Sequence, residues 1–362
     1  MSWNHWIVRR AFRAVLALGV IALAGADPLA FARQTPNAGQ QAEERSQRGS
    51  QEKVEILPVQ GNVYMISGAG ANITLQVGSD VAIAVDSGLP QKSDEVLAAI
   101  RSVTDRHILF IVNTSADADH TGGNENLAQA GWALPNTSRN PLQKQGEARY
   151  QMAPGSSVIA HYNVLERMSA PSGKEPPVPS ALWPTDTYET RYWRLYNDEG
   201  VWIYHPPNAH TDGDSYVLFR KSDVLSTGDI LNLEGYPVIR AEQGGSIDGV
   251  VAALNQIIEF LQPRANEEGG TYVIPGHGHV CDRHDVVDYR DMVTIIRGRI
   301  QYYIKQGMTL EQVKAAKPTM DYDGLYGATT GPWTSDMFVE AIYRELSNKS
   351  KTQNEQKVGG GR

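Results

Sequence analysis

The sequence is poor in cysteine and has no strongly basic block. Its single cysteine, Cys281, excludes an intrachain disulfide and a zinc site built from several cysteines. Any metal ion must therefore be held by histidine, aspartate or glutamate. The net charge of −8 at pH 7, without a cluster of lysine and arginine, argues against nucleic acid as a partner. No repeat of solenoid period is present, and 362 residues suffice for one large or two modest domains.

The N-terminus has the pattern of an export signal. A positive segment that contains Arg9 and Arg10 precedes an apolar run, 14–26, which is too short to favour a spanning helix. We expect cleavage after Ala32, so 1–32 is excluded from the fold, and the paired arginines resemble a twin-arginine signal. The expected location is the periplasm or the exterior, without stable membrane association after cleavage. An uncleaved membrane anchor is the alternative.

Composition divides the remaining chain into three parts. Residues 33–53 are polar and are predicted to form a disordered linker. Residues 54–346 form the predicted folded domain, with a helical extension from about residue 285. Residues 347–362 are polar, end in glycines and are predicted to be a disordered tail. The proline-rich stretch 169–183 is the expected lid or substrate loop.

The hydrophobic pattern predicts two halves that are rich in strands, each followed by helices. The predicted strands are 62–66, 73–77, 81–85, 108–112, 188–195, 200–205, 215–220, 223–226 and 272–274. The predicted helices are 92–103, 125–130, part of 142–168, 249–261, 285–305, 309–316 and 338–346. This order indicates two packed sheets with helices outside them.

The stretch 113–124, NTSADADHTGGN, joins the buried strand 108–112 to a Thr-Gly-Gly turn. If it is extended, Ser115, Asp117 and Asp119 point the same way, with His120 at the turn. Carboxylates and an imidazole at a strand end indicate a metal site. A solvated acidic loop is the alternative for this stretch alone.

Three later segments repeat the arrangement. The segments 208–214, 226–229 and 275–279 carry His210, Asp229 and His277, and each follows a predicted strand. A lone histidine in a loop is more often structural than a ligand. Four such segments in one order, each at a strand terminus, instead indicate one shared site.

These motifs resemble those of the metallo-β-lactamase superfamily, whose first motif is His-x-His-x-Asp-His. The matching segments are NTSADADHTGGN, AHTDGD, STGD, IPGHGH and the VDSG of 85–88, within about 54–282. The resemblance implies an α+β fold, the four-layer αβ/βα sandwich, with two metals between its sheets. It implies a second metal site of Asp119, His120 and His277 with Asp229 as bridging carboxylate, a first site that contains His210, and a structural role for Asp86.

The sequence departs from this family where the motif's first two histidines should be, since Ser115 and Asp117 stand there. One consequence is a mononuclear enzyme with metal only at the second site. Asp117, free of metal, would then act as general base, so Asp117 and Asp119 are the candidate catalytic residues. The other is an altered binuclear site that favours a harder ion such as manganese or magnesium.

The function that these residues and the resemblance imply is an exported metal-dependent hydrolase. Metal-activated water would attack an ester, lactone, lactam or thioester in a small-molecule substrate. The expected cofactor is one zinc ion per chain, with manganese or iron as alternatives. A non-catalytic metal-binding or ligand-binding protein is the competing interpretation. The sequence fixes neither the substrate nor the oligomeric state.

Overall fold

The structure is a computed structural model that describes residues 52–133, 153–170, 176–265 and 269–359. The predicted signal segment 1–32, most of the linker and the end of the tail lie outside the described residues. Among the residues described, no helix combines the length and the apolar character needed to cross a bilayer.

The first sheet takes most of its strands from the N-terminal half. The strands are β1 (Glu55–Gln60), β2 (Val63–Ser67), β3 (Ile73–Val77), β4 (Ala82–Val85), β5 (Ile108–Val112), β6 (Trp132–Ala133), β7 (Ala153–Pro154), β8 (Ser157–His161) and β9 (Asp186–Tyr188). Seven of them pair in the order β1-β2-β3-β4-β5-β8-β9, while β6 and β7 form a small separate ribbon. Strands β1 to β4 are antiparallel and β4, β5, β8 and β9 are parallel, so β4 and β5 end at the same edge.

The second sheet has five strands in sequence order. They are β10 (Arg191–Tyr196), β11 (Glu199–Tyr204), β12 (Tyr216–Phe219), β13 (Val224–Ser226) and β14 (Tyr272–Ile274). Strands β10 to β13 are antiparallel, and β13 pairs with β14 in parallel. The carboxyl ends of β13 and β14 therefore also lie at one edge.

Helices pack on the outer faces of both sheets and on one another, and one short helix lies in the loop after β5. They are α1 (Ser93–Val103), α2 (Ala118–Thr121), α3 (Asn124–Gln129), α4 (Tyr162–Ser169), α5 (Ile247–Phe260), α6 (Arg283–Lys305), α7 (Leu310–Ala315), α8 (Asp323–Tyr326) and α9 (Ser335–Gly359). Val96 and Ile100 of α1 pack on the first sheet, while Leu254 of α5 and Ile296 of α6 pack on the second. Buried side chains such as Phe219 fill the space between the sheets. The predicted four-layer αβ/βα sandwich is confirmed.

Three local predictions differ from the structure. Within 142–168, expected to be helical in part, Tyr162–Ser169 is the helix α4, while Ser157–His161 is the strand β8. The predicted strand 188–195 is two strands. Its first residue, Tyr188, ends β9, which pairs with β8 of the first sheet, and β10 begins the second sheet at Arg191. The last helix, predicted for 338–346, runs from Ser335 to Gly359. Within it, Lys349 pairs with Glu345 one turn earlier at 2.6 Å.

Candidate metal centre

The two parallel strand pairs bring the predicted ligands together. Asp86 and the loop that carries His120 follow β4 and β5, while Asp229 and His277 follow β13 and β14. His210 comes from the connection between β11 and β12. Because these strand ends of the two sheets lie side by side, residues separated by more than 150 positions in sequence share one small buried space. All the predicted ligand residues therefore meet, as the sequence indicated.

The second-site cluster, defined here as Asp119, His120 and His277, has one ligand atom from each residue within 4.8 Å of the others. His277 Nε2 lies 3.4 Å from Asp119 Oδ2. Asp229 Oδ1 lies 3.3 Å from the Nε2 atoms of both histidines. Two imidazoles and two carboxylates thus face a common point.

The first-site cluster, defined as Asp117, His210 and Asp229, meets the same 4.8 Å criterion. His210 Nε2 lies 3.3 Å from Asp117 Oδ2 and 3.7 Å from Asp229 Oδ2. Asp229 therefore presents one oxygen to each cluster, which is the bridging position that the family resemblance implied.

The outer sides of the His120 and His210 rings are fixed by hydrogen bonds. The His120 Nδ1–H donates to Asp86 Oδ2 at 2.8 Å, and that carboxylate also accepts from the Thr114 backbone N–H and hydroxyl at 2.7 and 2.6 Å. The His210 Nδ1–H donates to the Val238 carbonyl at 2.7 Å. These bonds leave Nε2 as the unprotonated nitrogen of each neutral ring, facing inward. Asp86 thus orients His120, the structural role that was expected.

The second-site cluster fits a divalent cation. The Nε2 atoms of His120 and His277 are buried and face carboxylate oxygens at 3.3–3.4 Å, but make no well-aligned hydrogen bond among the described residues. A buried nitrogen lone pair is costly unless something binds it. Two imidazoles with carboxylates alongside are a donor set typical of zinc.

The buried carboxylates of this centre also favour the binding of a cation. Burial raises the pKa of Asp229, but the charges of His120 and His277 outweigh it and hold the pKa well below its usual range. Burial lowers the pKa of His277, but Asp229 and Asp119 outweigh it and raise the pKa to about 9. Without a metal, protons must supply the positive charge among these carboxylates.

Sequence comparison identifies the family to which this arrangement belongs. The family described as the metallo-beta-lactamase superfamily matches residues 58–277, more than half of the chain. The chain belongs to the metallo-β-lactamase superfamily. No curated protein sequence gives a significant match.

Solved structures of superfamily proteins share the fold at low sequence identity. A double mutant of the sec-alkyl sulfatase PisA1 gives a TM-score of 0.57 at 14% identity, covering 83% of this chain and 52% of its own. The sec-alkylsulfatase Pisa1 from Pseudomonas sp. gives 0.54 at 15% identity, with coverages of 83% and 52%. A metallo-β-lactamase from Pontibacter korlensis gives 0.47 at 15% identity, with coverages of 67% and 99%. The chain spans about half the length of the sulfatase structures.

The motif region differs in shape from the extended segment that was expected. Residues Ala118–Thr121 form the short helix α2, with Asp117 as its N-cap residue. Asp117 and Asp119 therefore point into different clusters rather than along one face. Ser115 is buried and its Oγ accepts a hydrogen bond from the Asp117 N–H at 3.2 Å, so this serine shapes the loop.

The sequence interpretation missed Arg240. Its Nε and Nη2 donate to Asp117 Oδ2 at 3.1 and 2.8 Å. Burial raises the pKa of Asp117, but the hydrogen bond with His210 and the charge of Arg240 outweigh it and hold the pKa well below its usual range. Asp117 Oδ2 is therefore held in an ion pair, and the general-base role predicted for Asp117 stays a prediction. No motif surrounds Arg240, so its role could not be read from spacing.

Asn72 was also missed, and it holds the His277 loop from the first sheet. Its Nδ2 donates to the carbonyls of Pro275 and Gly278 at 3.0 and 2.8 Å, and its backbone N–H donates to the Gly276 carbonyl at 2.8 Å. Asp212 and Asp214 stay outside the clusters. Asp214 caps the His210 loop by accepting from the Thr211 N–H, while Asp212 pairs with Arg167.

Gly276 is required for the close approach of the His277 loop to Asp229. A Cβ atom added there would lie 2.5 Å from Asp229 Oδ1. We expect Gly276→Ala to displace that carboxylate and weaken metal binding about tenfold or more, as measured by competition with a chelator. Gly298→Ala is the control, because its Cβ on α6 would meet nothing within 4 Å. It should leave metal affinity unchanged and stabilise the fold by about 0.5–1 kcal/mol. Equal metal affinity in both variants would contradict the bridging position of Asp229.

Proposed function

We propose that this protein is a metal-dependent hydrolase that uses one divalent cation, best matched by zinc, at the second-site cluster. The observation that carries the proposal is the pair of buried Nε2 atoms of His120 and His277, both 3.3 Å from Asp229 Oδ1 without a well-aligned hydrogen bond among the described residues. The superfamily supports a hydrolytic reaction. A cation held there would lower the pKa of a water molecule and polarise the bond to be cleaved.

Residues around the second-site cluster orient its ligands and the attacking water. Asp86 fixes the tautomer of His120, and Asn72 fixes the loop of His277. Asp119 is buried with Oδ2 directed toward His277, so this oxygen would be a ligand of the cation. The other oxygen of the Asp119 carboxylate would remain to orient an attacking water. Asp117 instead stays ionised in its pair with Arg240.

The substrate class follows from the chemistry of the cluster. A polarised carbonyl of an ester, lactone, lactam or thioester suits the site, and the sulfatase neighbours add sulfate esters to the candidates. The partner is thus a small molecule. We also propose export to the periplasm or exterior by the N-terminal signal, which cell fractionation with a C-terminal tag would test.

A panel of chromogenic acetate ester, lactone, β-lactam, thioester and sulfate ester substrates tests the hydrolase proposal. We expect turnover of at least one class, loss of that turnover after chelation, and recovery with about one equivalent of zinc. His284→Asn is the control variant, since that side chain is 81% exposed on α6, and it should behave like the wild type. A chain that binds the metal fully and hydrolyses none of these classes would contradict the proposal.

Metal binding without hydrolysis is the outcome expected for the competing candidate, a non-catalytic metal-binding member of the superfamily. The observation that favours it is the ion pair of Arg240 with Asp117, which stands where the motif has a histidine ligand. Metal binding alone does not separate the two candidates, so turnover in the panel decides between them.

A further inference from the structure

We propose that Arg240 replaces the metal ion of the first site, so that its guanidinium supplies the positive charge there and limits the centre to one cation. The inference rests on the proposed single-ion site and adds the reason why a second ion is excluded. Arg240 is thus a positioning residue, acting through Asp117 and the charge of the first-site cluster.

The guanidinium is placed where it can act as a fixed cation. Nε and Nη2 both donate to Asp117 Oδ2, the same oxygen that lies 3.3 Å from His210 Nε2. The two side chains of the ion pair are only 15% and 11% exposed. A charge-assisted bond shielded from water is stronger than the same bond at the surface. The oxygen that a first-site metal would use is therefore already bound.

Hydrogen bonds with His210 hold the segment that carries Arg240 beside the first-site cluster. Its N–H donates to the His210 carbonyl at 3.0 Å, while His210 Nδ1–H donates to the Val238 carbonyl two residues earlier. The same loop then passes close to His210 again. A Cβ atom at Gly245 would lie 2.1 Å from the His210 carbonyl oxygen. The segment that carries Arg240 is thus tied on both sides to a residue of the first-site cluster.

Charge balance leads to the same conclusion. Asp117, Asp119 and Asp229 carry three negative charges, and the guanidinium with one divalent cation carries three positive charges. A second divalent cation would bring the positive charge above that of these three carboxylates and place two like charges beside Arg240. Like charges at such short range repel strongly when water is excluded. One ion and one arginine balance the three carboxylates that face the clusters.

Metal stoichiometry of Arg240 variants, measured by equilibrium dialysis against zinc or manganese with elemental analysis, tests the inference. The wild type should bind about one ion tightly, with any second ion at least about 100-fold weaker. Arg240→Gln should gain a second tight ion, while Arg240→Lys, which keeps a cation, should remain at about one. Arg297→Gln, which removes an arginine–aspartate pair on α6 away from the centre, is the matched control and should also remain at one.

The outcomes separate this inference from the proposed function. One ion in both the wild type and a folded Arg240→Gln would overturn the inference and leave the hydrolase proposal standing. No ion in the wild type would overturn the proposed function itself. If Arg240→Gln does not fold, titration of the wild type with Co²⁺, followed by its absorption and by magnetic coupling, decides. Saturation at one uncoupled ion supports the inference, and a tightly bound, coupled pair overturns it.

Discussion

Replacing His277 by asparagine should reduce bound metal from about one ion per chain to nearly none and hydrolysis by at least about 10³-fold, about 4 kcal/mol of transition-state stabilisation. His277 Nε2 faces both Asp119 and Asp229 from a strand end on the second sheet. Asparagine is shorter and lacks this nitrogen, so the cluster keeps only one imidazole. Elemental analysis and the rate with the best substrate of the panel measure the two effects.

His279→Asn is the matched control for His277→Asn. His279 belongs to the same Pro-Gly-His-Gly-His segment, but it is exposed and lies outside both clusters. Its replacement should leave metal content unchanged and activity within about twofold. Equal losses in the two variants would mean that the loop, rather than the His277 ligand, accounts for the effect.

Replacing Asp117 by alanine should destabilise the metal-free protein by about 3 kcal/mol, because it leaves a buried guanidinium without its carboxylate. Arg240 makes both of its described side-chain hydrogen bonds to that one oxygen. Adding Arg240→Met to Asp117→Ala should recover much of the loss, since the unpaired charge is then removed as well. Urea unfolding with chelator present measures the free energy of unfolding of each variant.

Asp105→Ala provides the control for this ion pair. Asp105 faces Arg106 at 3.9 Å on a fully exposed side chain, where water screens the interaction. Its replacement should leave the unfolding midpoint unchanged. A cost of less than about 1 kcal/mol for Asp117→Ala would show that the pair is not held in the folded protein as described.

The sequence indicated the ligands because their positions follow from strand order. The apolar runs 108–112 and 272–274 are strands within these bounds, and the polar residues that follow each lie at the same edge. Parallel pairing of β4 with β5 and of β13 with β14 then brings His120, Asp229 and His277 together. Periodicity and turn residues were sufficient to predict these strand ends, and the family resemblance supplied the choice of ligands among the residues that follow them.

The other features of the centre could not be predicted, because they depend on tertiary contacts that leave no local pattern in the sequence. Arg240 lies between Val238 and a short turn, and only the fold reveals that this loop passes over His210. Asn72 reaches the Pro275 carbonyl across more than 200 residues of sequence. The extended course assumed for 113–124 failed for a local reason, since the turn of helix α2 begins directly after Asp117. The ion pair of Asp117 with Arg240 could not be predicted, because no local pattern links the two residues.

The central claim is a single cation at the second-site cluster beside an arginine at the first. The most direct measurement is a crystal structure, with anomalous scattering data, of protein purified without added metal. We predict one anomalous peak at coordination distance, about 2 Å, from the ligand atoms of Asp119, His120 and His277, with Arg240 bound to Asp117. A peak between Asp117 and His210, a pair of peaks, or no peak at all would contradict the account.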